Sequence, residues 1–275
     1  MKVVFVLALA ALVSAGPNRP KVADIVVKNV KWEPSPRIIN GHEAVPHSLP
    51  YMVHLLFVAS SSAWMCGGAL ISENYILTAT HCGRGAERVY VTLGVHNTSA
   101  AEPTQVKQTV PGANIKLHEE YGSDSVANDI AVIRLNSPVS LTDAIQIVGL
   151  PTRADVENDY LNAVATASGW GSTDGYEFKV SDVLNYIVVR VISDRECQDA
   201  FAPVIPPKTL CTSGEHLTSV CAGDSGSPLV TDGVVIGVSA FVSTHCQARF
   251  PSGWTRVTDF LDWIADNTDV EIANK

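Results

Sequence analysis

Short apolar segments of strand length recur along the sequence, and they constrain its fold more than any other feature. They are rich in valine and isoleucine and are bounded by Gly, Asn, Asp, Ser or Pro, as β-strands between turns are. Their regular spacing favours an all-β fold built from barrels or sandwiches. The clearest segments are Tyr51–Val58, Ala69–Ile71, Val89–Leu93, Ile130–Leu135, Tyr186–Ile192 and Val234–Val238.

The C-terminus departs from this pattern. Phe260, Leu261 and Ile264 fall on one face of a helix, and Thr258 stands where an N-cap residue is expected. The sequence therefore predicts a short C-terminal helix on an otherwise all-β chain.

The N-terminal residues predict export. Lys2 is followed by an uncharged apolar run, Val3–Val13, and by the small residues Ser14 and Ala15. This is the layout of a secretory signal peptide over residues 1–15, and eleven apolar residues are too few to span a membrane. We therefore expect a secreted, extracellular protein with no membrane anchor.

Residues 16–37 differ in composition from the rest of the chain. They contain four prolines and end in Pro34-Ser35-Pro36-Arg37, a sequence that keeps the backbone extended and accessible to a protease. We interpret them as a leader that precedes the folded domain, residues 38–275.

Six cysteines in an exported chain are expected to form disulfides, although six cysteines allow 15 pairings and their spacing does not choose among them. Asn97 begins the usable glycosylation sequon. The formal net charge is −9, and removing residues 1–37 leaves 13 basic and 26 acidic residues, a net charge of −13. A nucleic-acid-binding protein would have the opposite balance.

Three distant segments carry residues suited to nucleophilic catalysis. They contain His81, Asp129 and Ser225, in that order. A serine hydroxyl needs a base within hydrogen-bond reach, histidine has a suitable pKa, and a carboxylate fixes the histidine tautomer. Glycines flank Ser225, so the backbone N–H groups of Gly223 and Ser225 could stabilise an oxyanion. Each segment alone is as compatible with a structural role, but the combination favours a catalytic triad.

The same segments resemble the chymotrypsin (trypsin-like) serine protease family, from Arg37 to about Asn267. The motifs are Arg37–Gly41, Thr78–Cys82, Asn128–Ala131 and Gly223–Gly226. The resemblance implies two packed six-stranded antiparallel β-barrels with the triad in the cleft between them, and no cofactor. It also implies three disulfides, Cys66–Cys82, Cys197–Cys211 and Cys221–Cys246.

The family resemblance further implies a zymogen with residues 16–37 as its activation propeptide. A trypsin-like protease would cleave after Arg37, and the new α-amino group of Ile38 would pair with Asp224 and order the oxyanion hole. The implied partners are protein or peptide substrates, this activating protease and protein inhibitors. Segments such as Thr166–Gly171 most resemble insect and crustacean chymotrypsin-like enzymes, including collagenolytic ones.

Three positions align with the family's primary substrate pocket. Ser219 stands at its base, where a trypsin-like enzyme has an aspartate, so cleavage after Lys or Arg is not expected. Val242 and Ser252 align with wall positions that are usually glycine, and Val242 should narrow the pocket. We expect a preference for small or medium apolar residues, with aromatic residues still open.

Other positions depart from the family pattern. Ser227 replaces a common glycine, and its β-carbon either strains the turn behind the nucleophile or is accommodated there. Ala240 aligns with a serine that usually contacts the catalytic aspartate. Val95 and Gln105 stand where a calcium site would need carboxylates, so no metal is expected. The alternative to an active enzyme is a non-catalytic protease homologue that acts as a binding or regulatory module.

Overall fold

The computed structural model describes residues 38–60, 62–122, 126–174, 179–201, 205–243, 246 and 249–275. The predicted signal peptide, residues 1–15, and the predicted propeptide, residues 16–37 with Arg37, lie outside the described residues. Two antiparallel sheets of seven strands each make up the described chain.

The first sheet forms a barrel from the N-terminal half of the chain. Its order is β6-β5-β2-β3-β4-β8-β7. A 3-10 turn at Gly112–Asn114 separates the two outer strands of this order, so together they act as one interrupted strand of a six-stranded barrel. The strands are β2 (Met52–Ala59), β3 (Ser62–Leu70), β4 (Tyr75–Thr78), β5 (Arg88–Leu93), β6 (Val106–Pro111), β7 (Ile115–Leu117) and β8 (Ala131–Arg134).

The second sheet closes in the same way. Its order is β1-β10-β11-β14-β13-β12-β9, and β9 also pairs with β10, which completes a six-stranded ring and leaves the two-residue β1 as an added edge. The strands are β1 (His42–Glu43), β9 (Val164–Gly169), β10 (Asn185–Ile192), β11 (Thr209–Thr212), β12 (Pro228–Thr231), β13 (Val234–Val242) and β14 (Ser252–Arg256).

Each barrel buries the apolar face of its alternating strands. In β2, Val53, Leu55 and Phe57 are fully buried and point into the first core, as a side-chain period of two requires. In β10, Ile187 and Val191 belong to the second core. Burial of aliphatic side chains on this scale supplies most of the favourable free energy of folding.

In the part of the chain that the structure describes, three α-helices accompany the barrels, namely α1 (Thr80–Gly83), α2 (Asp194–Phe201) and α3 (Leu261–Asn267). The predicted C-terminal helix is α3, and Leu261 and Ile264 pack against the first core. The prediction that Thr258 caps it is wrong. Thr258 is buried in a 3-10 turn, Val257–Phe260, that leads into the helix, and its Oγ1 makes no hydrogen bond there.

Within the described ranges, no helix combines the length and the apolar character that crossing a membrane requires.

Candidate active site

His81 and Asp129 meet in the first barrel. Helix α1 carries His81 directly after β4, and Asp129 lies just before β8, the strand that pairs with β4. Asp129 is completely buried, and its Oδ2 lies 2.6 Å from His81 Nδ1 while its Oδ1 accepts the His81 backbone N–H at 2.8 Å. This bidentate contact fixes both the ring and its tautomer, so that Nε2 is left to accept a proton.

The electrostatics of this pair favour a charged imidazole. Burial lowers the pKa of His81, but the negative charge of Asp129 and its hydrogen bond to the ring outweigh burial and raise the pKa above its usual 6.5. A histidine in this position can take up a proton during a reaction at neutral pH and give it back.

Ser225 lies in a turn of the second barrel, between Cys221 and β12. Gly223 and Gly226 have φ angles of +98° and +76°, which a side chain would strain. The Ser225 carbonyl accepts the N–H of Gly67 from the first barrel at 2.8 Å. A Cβ on Gly226 would lie 3.2 Å from the backbone nitrogen of Ala79, two residues before the histidine. The turn that carries Ser225 is therefore packed closely against the segment that leads to α1.

The structure brings Ser225 to this segment but does not complete the triad. Among the described contacts, Ser225 Oγ makes no hydrogen bond to His81 Nε2, which lies 3.7 Å from Cys82 Sγ. In enzymes without substrate such contacts are often long and shorten in the reacting complex.

Two backbone donors of the turn that carries Ser225 are free within the described residues. The N–H groups of Asp224, Gly226 and Ser227 donate to carbonyl oxygens, whereas those of Gly223 and Ser225 donate to none. Two unused N–H groups in the turn that carries a serine, one of them on the serine itself, can stabilise an oxyanion in acyl transfer.

Asp224 is a fully buried carboxylate held only by backbone. Its Oδ1 accepts the N–H of Gly171 at 2.8 Å and its Oδ2 accepts the N–H of Cys221 at 2.9 Å. Burial raises the pKa of Asp224 to about 7, against the opposing effect of the two hydrogen bonds. No cation pairs with it among the described residues.

Sequence reasoning did not identify the glycines that receive this carboxylate. A Cβ on Gly169 or Gly171 would overlap the Asp224 side chain. The Gly169-Trp170-Gly171 sequence was a usable signal, because two glycines around a buried tryptophan indicate a close approach by another segment.

The N-terminal residues of the described chain lie close to the candidate pocket. Ile38 is fully buried in the second core, and Ile39 packs with the Cys221–Cys246 disulfide. The carbonyl of Ile39 accepts the N–H of Ser219 at 3.4 Å.

The three predicted pocket residues also lie near one another. Val242 and Ser252 are cross-strand partners on β13 and β14. Ser219 and Ser252 are both buried, and their hydroxyl oxygens are 3.4 Å apart. Ser219 Oγ donates to the carbonyl of Val220 at 2.8 Å. The base of the pocket is thus polar and uncharged, and Val242 is half-buried beside it.

All six cysteines form disulfides, in the three pairs implied by the family resemblance. Cys66–Cys82 links α1 to β3, Cys197–Cys211 links α2 to β11, and Cys221–Cys246 links the turn that carries Ser225 to the segment after β13. Within the described residues, one close group of potential metal ligands occurs, Cys66, His81 and Cys82, and both of its cysteines are oxidised. A disulfide sulfur is not a thiolate ligand.

The sequon residue Asn97 is half-buried, and its Oδ1 accepts the N–H and the Oγ–H of Ser99 at 2.9 and 2.7 Å.

Comparison with known proteins places this geometry in context. A profile of the family described as Trypsin matches residues 38–264. The chain is 42% identical over 237 residues to a chymotrypsin of Phaedon cochleariae, and the alignment covers 86% of this chain and 84% of the relative. It is 41% identical over 234 residues to brachyurin of Leptuca pugilator, and this alignment covers 85% of this chain and 99% of the relative.

A solved structure of HL collagenase is similar to this one, with a TM-score of 0.78 and 34% sequence identity over 86% of this chain and all of the other. The collagenase of Hypoderma lineatum is 35% identical over 239 residues. The expected two-barrel fold is confirmed by this agreement.

Proposed function

This chain belongs to the trypsin family of serine endopeptidases, and we propose that it is a secreted digestive-type protease made as a zymogen. The observation that carries the proposal is the buried His81–Asp129 pair, pressed against a glycine-lined serine turn with two free backbone donors. Residues 1–15 serve as its signal peptide, 16–37 as its propeptide and 38–275 as its protease domain.

The proposed reaction is acyl transfer. Ser225 Oγ attacks the carbonyl carbon of the scissile peptide while His81 Nε2 takes its proton. The N–H groups of Gly223 and Ser225 stabilise the oxyanion of the tetrahedral intermediate. Protonated His81 then gives its proton to the leaving amine, and the same groups act in hydrolysis of the acyl-enzyme by water. Asp129 holds the ring in place and stabilises its charged form.

Activation is proposed to work through Asp224. Cleavage after Arg37 gives Ile38 a positively charged α-amino group, and Ile38 is already buried in the same barrel. A buried carboxylate without a charged partner destabilises the folded state, so pairing with a cation removes that cost. Pairing would fix the nucleophile turn and with it the two oxyanion donors.

The pocket supports a preference for apolar residues. The hydroxyls of Ser219 and Ser252 offer no charge to a Lys or Arg side chain, and Val242 reduces the available width. Small or medium apolar residues before the cleaved bond fit this arrangement best. One relative is named collagenase, so a collagen peptide belongs in the substrate panel.

A peptide library tests the proposal. The purified zymogen is cleaved at Arg37 with trypsin, the trypsin is removed, and the bonds cut in the library are identified by mass spectrometry. The control is Ser225→Ala, treated in the same way. Cutting after apolar residues by the wild type alone is expected. Cutting after Lys or Arg would contradict the role of Ser219, and no cutting by a folded, cleaved sample would favour a non-catalytic homologue.

A further inference from the structure

The hydroxyl of Ser227 is an unsatisfied polar group in the protein interior. Ser227 is completely buried, and its Oγ has no hydrogen-bond partner among the described residues. Buried polar atoms without a partner are rare in native proteins because each one is costly. A buried serine at this position therefore calls for a partner that the described residues, in their present arrangement, do not supply.

Glycines of both barrels make room for this hydroxyl. A Cβ on Gly67 of β3 would overlap Ser227 Oγ, so the hydroxyl fills the space that the missing side chain leaves. A Cβ on Gly169 of β9 would overlap Asp224 Oδ1 and lie 3.2 Å from Ser227 Oγ. The hydroxyl and the carboxylate thus border the same Cα atom, that of Gly169.

The carboxylate can accept another hydrogen bond. It receives one N–H on each oxygen, from Gly171 and Cys221, whereas an ionised carboxylate has about four acceptor positions. A hydrogen bond closes the turn that joins the two residues, since the Ser227 N–H donates to the Asp224 carbonyl at 3.0 Å. Asp224 Oδ1 and Ser227 Oγ lie 2.1 and 3.2 Å from the same point, the position of a Cβ on Gly169, so the two oxygens are close neighbours beside Gly169.

We propose that Ser227 is a positioning residue for Asp224. Once cleavage after Arg37 frees the Ile38 amine, the Ser227 hydroxyl donates to Oδ1 and holds the carboxylate in the orientation that receives this amine. A glycine at this position has no such donor. This inference rests on the proposed activation by Ile38 and extends it to a residue with no role in the reaction itself.

Carbamylation of the Ile38 amine by cyanate measures the proposed effect. The reagent reaches the amine only in molecules in which it has left Asp224, so the rate reports the open population. In cleaved Ser227→Ala we expect a rate about tenfold higher than in the wild type, the factor that one hydrogen bond to a charged group commonly contributes. Peptide mapping by mass spectrometry quantifies the modified terminus, and covalent titration of Ser225 follows the active fraction.

Thr258→Val is the matched control. Thr258 Oγ1 is likewise buried and unpaired, but it lies in the turn before α3. This variant should leave the carbamylation rate unchanged, whatever it does to thermal stability. A purely structural role of Ser227 would change the melting temperature of Ser227→Ala without changing the rate.

The outcomes separate the two proposals. A wild-type rate in folded, cleaved Ser227→Ala overturns the role of Ser227. If Ser227→Ala does not fold, Ser227→Gly replaces it and the same comparison decides. A freely reactive Ile38 amine in the cleaved wild type would instead contradict the proposed activation mechanism.

Discussion

The buried carboxylate of Asp224 should make the uncleaved chain lose stability as pH rises. Its pKa is about 7 in the folded chain and close to 3.8 in the unfolded chain. Between these values the folded state binds more protons than the unfolded state, so the free energy of unfolding falls with increasing pH. The difference of about 3 pKa units corresponds to roughly 4 kcal/mol across this window.

Cleavage should remove this loss. A paired Ile38 ammonium lowers the pKa of Asp224, so the folded chain no longer takes up the proton and the stability near pH 7 is retained. Urea unfolding of Ser225→Ala, which prevents self-digestion, measures both forms from pH 4 to pH 8 with the disulfides intact. Asp224→Asn in the same background removes the titrating group and serves as the control for other carboxylates.

In the uncleaved chain, we expect the free energy of unfolding to fall with pH more steeply than in Asp224→Asn, by up to about 1.4 kcal/mol per pH unit. In the cleaved chain, the pH dependence of the free energy of unfolding should be closer to that of Asp224→Asn. Equal slopes in the uncleaved chain with and without the Asp224 carboxyl would refute the reasoning, because they would mean that this group is not buried and unpaired before cleavage.

Three further results are expected. In Ser225→Ala, NMR should show the His81 ring titrating above its usual 6.5, and adding Asp129→Asn should lower this pKa; an unchanged pKa would contradict the coupling. The protein that retains Ser225 should accordingly lose activity as pH falls through the raised pKa of His81. Ser219→Asp should move library cleavage toward Lys and Arg by placing a charge at the pocket base, and retention of apolar specificity would argue against that position. Gly226→Ala should lower the free energy of unfolding by about 2–4 kcal/mol in urea unfolding. The reason is that φ is +76° and the new Cβ would lie 2.7 Å from the Gly67 carbonyl oxygen. A change below about 1 kcal/mol would show that the turn relaxes.

The strands and the three segments that carry His81, Asp129 and Ser225 were accessible from the sequence because their signals are local. Alternating or continuous apolar runs bounded by turn residues identify strands such as β2 and β13 without knowledge of their partners. The motif around Ser225 likewise depends on adjacent glycines. The two-barrel fold was implied by the family resemblance that these segments carry, and the similarity to HL collagenase confirms it.

Contacts between distant segments were not accessible in this way. The sequence left open whether Ser227 strains its turn, and the answer lies in Gly67 of the other barrel, which leaves space for the side chain. Gly169 and Gly171 were likewise missed, because they contact the Asp224 side chain from a distant part of the sequence. Thr258 failed as a predicted cap because a buried 3-10 turn precedes α3, and burial in the tertiary fold overrode the local preference.

Each barrel donates a hydrogen bond to the backbone carbonyl of a candidate catalytic residue in the other barrel. The first barrel fixes the Ser225 carbonyl through the Gly67 N–H, and the second fixes the Asp129 carbonyl through Thr255 Oγ1 at 2.8 Å. Separation of the two barrels would break both contacts, and with them the arrangement of the candidate site. Activity would therefore also report that the two barrels are assembled against each other.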